Sequence, residues 1–215
     1  MLFPTIIVDN FFDEPDRVRE YGLSLSYEKF GNHYAGVRTK QVESDLFGYS
    51  TKKMIAVLYP MNYITMEWEA RQSFQKISGE KYKEEGWVHQ DSSYQITAII
   101  YLSKHKNCGT SICKPKDFDR VPKHTEFSHK YFEDPSIDAS KELKENNERF
   151  DQTVNVESIY NRLLIFDSCQ FHMANAFGDN VLDEDRLILI TFFHKLTTIS
   201  GEKMVGFPLA EMRRS

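Results

Sequence analysis

The chain has 215 residues, a formal net charge of −5, 40% hydrophobic residues and 13% aromatics, which suits one domain with a real core and is too apolar for a disordered chain. Basic and acidic residues are interleaved, so no continuous cationic face for a phosphate backbone is implied and nucleic acid is a poor partner. Cys108, Cys113 and Cys169 form no CxxC and leave an odd thiol, no leader-like start is visible and no apolar run approaches the ~20 residues of a membrane span, so the expectation is a soluble, cytoplasmic protein without a membrane partner.

Thr5 to Val8, bounded by Pro4 and Asp9-Asn10, read as a short strand. Asp13-Glu14-Pro15-Asp16 reads as a helix start, with Val18, Tyr21 and Leu25 as the apolar stripe of a helix over 16–25. A second helix is expected over 44–59, where Leu46, Phe47, Met54, Val57 and Leu58 recur at helical spacing and Pro60 stops it. From Met61 the texture changes to β-type runs at 63–68, 72–77, 95–102, 162–166, 172–177 and 186–194, a pattern that favours a barrel or sandwich over a βαβ sheet. Between them lies a charged stretch with Pro115, Pro122 and Pro135 and a predicted helix over 139–150. A connection that long in a compact domain is a lid, a binding loop or a solvated excursion. Its aromatics, Phe118, Phe127, Tyr131 and Phe132, are compatible with each of these.

The chemistry is concentrated in Gly86-Trp87-Val88-His89-Gln90-Asp91. Residues two apart on an extended backbone project to one face, so His89 and Asp91 could share an ion. A second imidazole from an opposite strand, for which His172 is the natural candidate, would complete a 2-His-1-carboxylate set with open coordination positions. An HxD triplet alone also arises by chance, and a histidine at a strand start is commonly structural.

The order of the surrounding segments makes the set more specific. His89 and Asp91 precede the strand-like Gln95 to Leu102, Cys108-Gly109-Thr110 follows as a turn, Arg162 to Asp167 lead to His172, and Arg186 opens the run Leu187-Ile188-Leu189-Ile190. Over roughly 72–194 the chain thereby resembles the 2-oxoglutarate and Fe(II)-dependent oxygenases, in particular their small prolyl-hydroxylase-like branch. The resemblance implies a mainly β fold with flanking helices, a double-stranded β-helix of the jelly-roll or cupin-like type. It further implies iron bound by His89, Asp91 and His172, with the remote carboxylate of 2-oxoglutarate on Arg186 and the Tyr101 hydroxyl. Dioxygen would be the co-reactant, ascorbate a candidate reductant, and succinate and carbon dioxide products of a hydroxylation at a C–H of a protein side chain or small metabolite. Two departures stand out: Ile188 occupies the position where the family often has Ser, and Cys108 that of the first Gly in a common Gly-Gly-Thr turn.

Arg186 also has a case of its own. A guanidinium beside four aliphatic residues needs an anion, and it grips carboxylates bidentately. Asp183, Glu184 and Asp185 are the internal partners that would make it purely structural. Gln75, Trp87, Tyr94, Thr110 and Ile188 are candidate pocket residues, although Gln75 would equally suit solvent and Trp87 a core position. His33, His105, His124, His129 and His194 read as surface or packing histidines, and Cys169 as an inert thiol. The expected organisation is one oxygenase domain over 1–215: helical support over 1–60, barrel over 61–113 and 155–199, and a lid-like insertion over 114–154. A non-catalytic metal-binding barrel and a zinc hydrolase using the same ligands are the alternatives.

Overall fold

The computed structural model describes residues 4–60, 63–83, 85–91, 93–117, 126–178 and 185–198. Among the described residues, nine strands form two antiparallel sheets. The larger has the order β1 (Ile6–Val8), β7 (Leu163–Asp167), β4 (Ile96–Tyr101), β9 (Arg186–Thr198), β3 (Met66–Ile77), β2 (Val37–Arg38), and the smaller β6 (Phe150–Val156), β5 (Thr110–Pro115), β8 (Phe171–Ala174). The two apposed sheets make the expected double-stranded β-helix.

Alternation along the central strands builds two cores from one sheet. Ile96, Ala98 and Ile100 of β4, Leu163 and Ile165 of β7, and Leu187, Leu189 and Phe193 of β9 face outward. They join Phe11, Phe74, Met54 and Ile55 beneath helices α1 (Pro15–Ser24) and α2 (Asp45–Leu58). The intervening residues Ile99 and Tyr101, Leu164 and Phe166, and Ile188, Ile190 and Phe192 face the smaller sheet and pack with Ile112 and Val156. Both faces being covered explains why these strands read as continuous apolar runs. Burial of a side chain such as Leu189, at 0% exposure, contributes about 1.5–3 kcal/mol by area alone.

Pro15 opens α1, where its missing N–H costs nothing. Between the sheets' edges, a third cluster of Tyr82, Trp87, Tyr131, Phe132 and Phe177 roots α3 (Glu126–Glu133) and α4 (Ser140–Asn147) against the barrel. None of the described helices is long and apolar enough to cross a membrane.

Two strand expectations and one helix expectation need correction. Residues 63–68 and 72–77 are not separate strands: Tyr63–Thr65 form a 3-10 turn and Met66–Ile77 is one strand. The charged Glu67, Glu69 and Arg71 resemble a break but alternate to the exposed side, and a bulge between Glu69 and Ala70 absorbs the irregularity. The run expected over 172–177 is shorter, Phe171–Ala174. The predicted helix over 139–150 ends at Asn147 because Phe150 begins β6, which pairs with β5 from Thr110↔Val156 to Pro115↔Phe150. Residues 116–149 therefore join two neighbouring antiparallel strands. Phe118, Pro122 and His124 of this connection, Asp179 to Glu184, and everything from Ile199 onward lie outside the described residues, as does the Phe127 side chain.

Candidate metal centre

His89 lies just outside β8, to which it is tied by a two-way backbone bridge: its N–H donates to the His172 carbonyl at 3.0 Å and its carbonyl accepts the His172 N–H at 2.9 Å. Asp91 is secured two residues on, its N–H donating to the Ser168 carbonyl at 2.9 Å. The result is a cluster in which ligand atoms of His89, Asp91 and His172 all lie within 4.8 Å of one another. His172 Nε2 is 3.4 Å from Asp91 Oδ2 and His89 Nε2 is 3.7 Å from Asp91 Oδ1.

The hydrogen bonds behind the rings settle which nitrogen is available. His89 Nδ1 contacts the Trp87 carbonyl at 2.8 Å and His172 Nδ1 the Gln170 carbonyl at 3.0 Å. A carbonyl only accepts, so each Nδ1 carries the proton and each Nε2 presents its lone pair to the cluster, the arrangement typical of metal-binding imidazoles. Thr97 donates its hydroxyl to Asp91 Oδ2 at 2.9 Å and contacts Ser168 Oγ at 2.9 Å. Burial opposes ionisation of Asp91, but the positive charge that His172 and His89 carry when protonated, together with the Thr97 hydroxyl, outweighs it and holds the carboxyl well below the usual carboxylate range; a cation bound to neutral rings would do the same.

The cluster opens into a pocket of about 230 Å³ between the sheets. Its lining includes His89, Asp91, His172, Arg186 and, of the sequence candidates, Gln75, Trp87, Tyr94, Thr110 and Ile188. The pocket thus gathers both the cluster and Arg186. Register orders them: Thr97, which holds Asp91, pairs with Phe192, and Arg186 lies six residues back along β9 with Ile188 and Ile190 on the same face.

Arg186 is buried, and its Nε donates to the Cys108 carbonyl at 3.0 Å. Among the described residues no carboxylate pairs with it; Asp185 is exposed, while Asp183 and Glu184 fall outside the described set. Tyr101 stands beside it, ring centroid 5.8 Å from the guanidinium carbon, but does not line the pocket. Its hydroxyl donates to Thr110 Oγ1 at 2.8 Å, and Thr110 is the group at the pocket surface. Burial pushes the Tyr101 phenol up despite the nearby Arg186 charge, so the phenol stays neutral and able to donate.

Sequence reasoning left out two residues. Thr97 is invisible as a positioning group because a Thr in a β-run is ordinary. Arg38, on the two-residue strand β2, enters the same pocket, its Nε donating to Gln75 Oε1 at 3.2 Å. Gln75 in turn donates to the Ala35 carbonyl at 2.7 Å and faces inward rather than to solvent. Of the histidines read as peripheral, His33 lines the pocket and its ring contacts His129 at 3.1 Å.

The family described as "Family of unknown function (DUF6445)" matches residues 3–187. No curated protein matches the sequence. Solved structures do resemble it in fold. The non-haem alpha-ketoglutarate-dependent epimerase SnoN of nogalamycin biosynthesis is 12% identical at a TM-score of 0.54, covering 90% of this chain and 79% of that one. The carbocyclase SnoK from the same biosynthesis is 12% identical at 0.53, covering 98% and 86%. HygX from Streptomyces hygroscopicus, solved with nickel, 2-oxoglutarate and hygromycin B, is 11% identical at 0.53, covering 88% and 82%. Identities this low speak to fold alone, and the fold is the double-stranded β-helix that the resemblance implied.

Proposed function

The chain belongs to the DUF6445 family, and we propose that it is an Fe(II)- and 2-oxoglutarate-dependent oxygenase acting on a C–H bond. The observation that carries this reading is the content of one pocket: a His-Asp-His cluster at one end and, further along β9, a buried arginine that no described carboxylate neutralises. Two imidazoles presenting Nε2 and one carboxylate suit a divalent iron ion and leave positions for a chelating cosubstrate. An unpaired buried guanidinium suits the cosubstrate's far carboxylate. The residues present therefore fit both groups, and the fold relatives SnoN, SnoK and HygX lend the same cofactors support as analogy.

In this assignment His89, Asp91 and His172 hold iron, and Arg186 grips the remote carboxylate of 2-oxoglutarate. Thr110 adds its hydroxyl to that carboxylate, its own oxygen being fixed by the Tyr101 phenol. Bound there, iron and 2-oxoglutarate would supply, with dioxygen, the oxidising power for hydroxylating a C–H bond, the keto acid being converted to succinate and carbon dioxide. The chain positions the target C–H and keeps water out with Ile99, Ile188, Ile190 and Phe192. Hydroxylation is the favoured outcome because Asp91 keeps the coordination position a halide would need. We assign the whole chain to one oxygenase domain of the small prolyl-hydroxylase-like type and read the α3 part of the connection between β5 and β6, rather than all of 114–154, as its lid, since Phe132 of α3 lines the pocket. A zinc hydrolase would leave Arg186 buried without an anion. The test is anaerobic titration with Fe(II) followed by 2-oxoglutarate. A visible charge-transfer band, and succinate release on admitting air with ascorbate present, are expected; tight zinc retention with no band would overturn the reading.

A further inference from the structure

Arg38 has no task in the assignment above. It lies on β2 opposite Gln75, which lies opposite Ile188 on β9. From that register its guanidinium reaches toward the cluster end, over the Tyr34 ring at 3.9 Å and near the Phe192 ring at 5.6 Å. Phe192 pairs with Thr97, the residue that holds Asp91. Arg186 lies in the opposite direction along the same strand, so the two arginines bracket the pocket.

The side chain is also prepared for an anion. Gln75 fixes Nε, Tyr34 supports the flat face, and the two terminal nitrogens make no hydrogen bond among the described residues. That leaves the end-on fork which matches a carboxylate. Charge points the same way. Among the described residues, the charged ones lining the pocket are Arg38, Arg186 and Asp91. A divalent ion and the two arginines carry four positive charges; Asp91 and the 2-oxoglutarate dianion carry three negative ones. The charge left without a counter-ion is the one that Arg38 presents beside the metal ligands.

We propose that Arg38 is the substrate-anchoring residue of this pocket, and that the primary substrate carries a carboxylate which docks on its terminal nitrogens. The proposal rests on the oxygenase reading for its charge balance, and it narrows the substrate to a small carboxylic acid or an acidic side chain. Gln75 is the positioning residue that aims the guanidinium. The pocket volume of about 230 Å³ limits what enters to a group of modest size.

The test uses Mn(II)- and 2-oxoglutarate-loaded protein titrated calorimetrically with benzoate and with benzamide, which share a ring and differ in charge. Wild type should bind benzoate about tenfold tighter than benzamide, Arg38→Gln should erase the preference, and Arg38→Lys should keep part of it, since a charge without the fork is a weaker carboxylate ligand. Affinity for 2-oxoglutarate should change less than about twofold in Arg38→Gln, because distant sites act independently. A large loss of 2-oxoglutarate affinity with the benzoate preference intact would assign Arg38 to the cosubstrate and overturn the proposal, as would equal binding of the two probes by wild type. If wild type binds neither Mn(II) nor 2-oxoglutarate, the oxygenase reading fails by itself. The two probes are then compared on the unloaded chain with Arg186→Gln as a second control. Preference lost in Arg38→Gln alone sustains the anion site, and preference lost only in Arg186→Gln overturns it.

Discussion

Asp91 is held by a short chain of hydroxyls, Ser168 to Thr97 to carboxylate, and by two imidazoles whose protons are committed to backbone carbonyls. Groups behind a ligand commonly govern metal affinity by ten- to a hundredfold. Thr97→Val keeps the β-branched shape and removes the donor, so Fe(II) or Mn(II) affinity should fall about tenfold while the fold is retained; equal metal affinity in a calorimetric titration would show that Thr97 has no such role. The division of labour within the pocket gives a second prediction. Arg186→Ala should weaken 2-oxoglutarate binding by roughly a hundredfold and leave metal binding nearly unchanged, whereas Asp91→Ala should abolish metal binding first. Separate titrations with metal and with cosubstrate read the two effects. At this scale the sequence was informative where chemistry depends on spacing: His89 and Asp91 share a face because they are two apart in extended chain. Arg38 was hidden because its place depends on a pairing with Gln75 across the tertiary structure; Thr110 was legible as a pocket residue, but not that the Tyr101 phenol reaches the pocket only through it.

Strand β2 is two residues long, and its approach to β3 depends on the glycine before it. Gly36 has φ +73, and a Cβ there would meet the Lys76 carbonyl oxygen at 2.0 Å and Ile77 at 2.9 Å. Gly48, inside α2, would meet nothing within 4 Å. The same change should therefore have opposite signs at the two sites. Gly36→Ala should destabilise by about 1–3 kcal/mol through left-handed strain and lifting of β2, and Gly48→Ala should stabilise by about 0.5–1 kcal/mol as a helix-interior replacement. Urea denaturation of the two variants and wild type measures both. Displacing β2 also moves Arg38, so the Gly36 variant should lose the benzoate preference, whereas the Gly48 variant should keep it. The elements found from sequence were the helices with an apolar stripe or a clear start, α1, α2 and, with a shorter extent, α4, and the β-type runs of β1, β4, β7, β8 and β9. Strand β6 escaped notice for a physical reason: Asp151 to Asn155 are exposed, so β6 reads as a polar linker, and its strand character comes from pairing with β5.

The molecule as a whole buries a polar pocket between two sheets whose remaining interior is apolar, and such a pocket is completed energetically by its ligands. Two guanidinium groups near one carboxylate leave excess positive charge in the unliganded barrel, so ligands that restore balance should stabilise it strongly. A ligand present at a hundred times its dissociation constant contributes about 2.7 kcal/mol, which for a chain of this size is a rise of several degrees in Tm. Mn(II) with 2-oxoglutarate should therefore raise the melting temperature more than Mn(II) alone, and the extra rise should vanish in Arg186→Ala. Calorimetric scans check this; an undiminished rise in that variant would remove Arg186 from the cosubstrate's binding.

The reciprocal backbone bonds between His89 and His172 set the order of events when metal arrives. Two of the three ligands come from chain segments more than eighty residues apart, yet they are locked to each other through the main chain, at 3.0 and 2.9 Å, before any ion is present. The conformational entropy of bringing them together is thus lost during folding and is not charged against metal capture. Capture should then be a loss of hydration water at a ready-made clasp, and the amides of both histidines should exchange with deuterium only as slowly as the barrel itself opens, with or without metal.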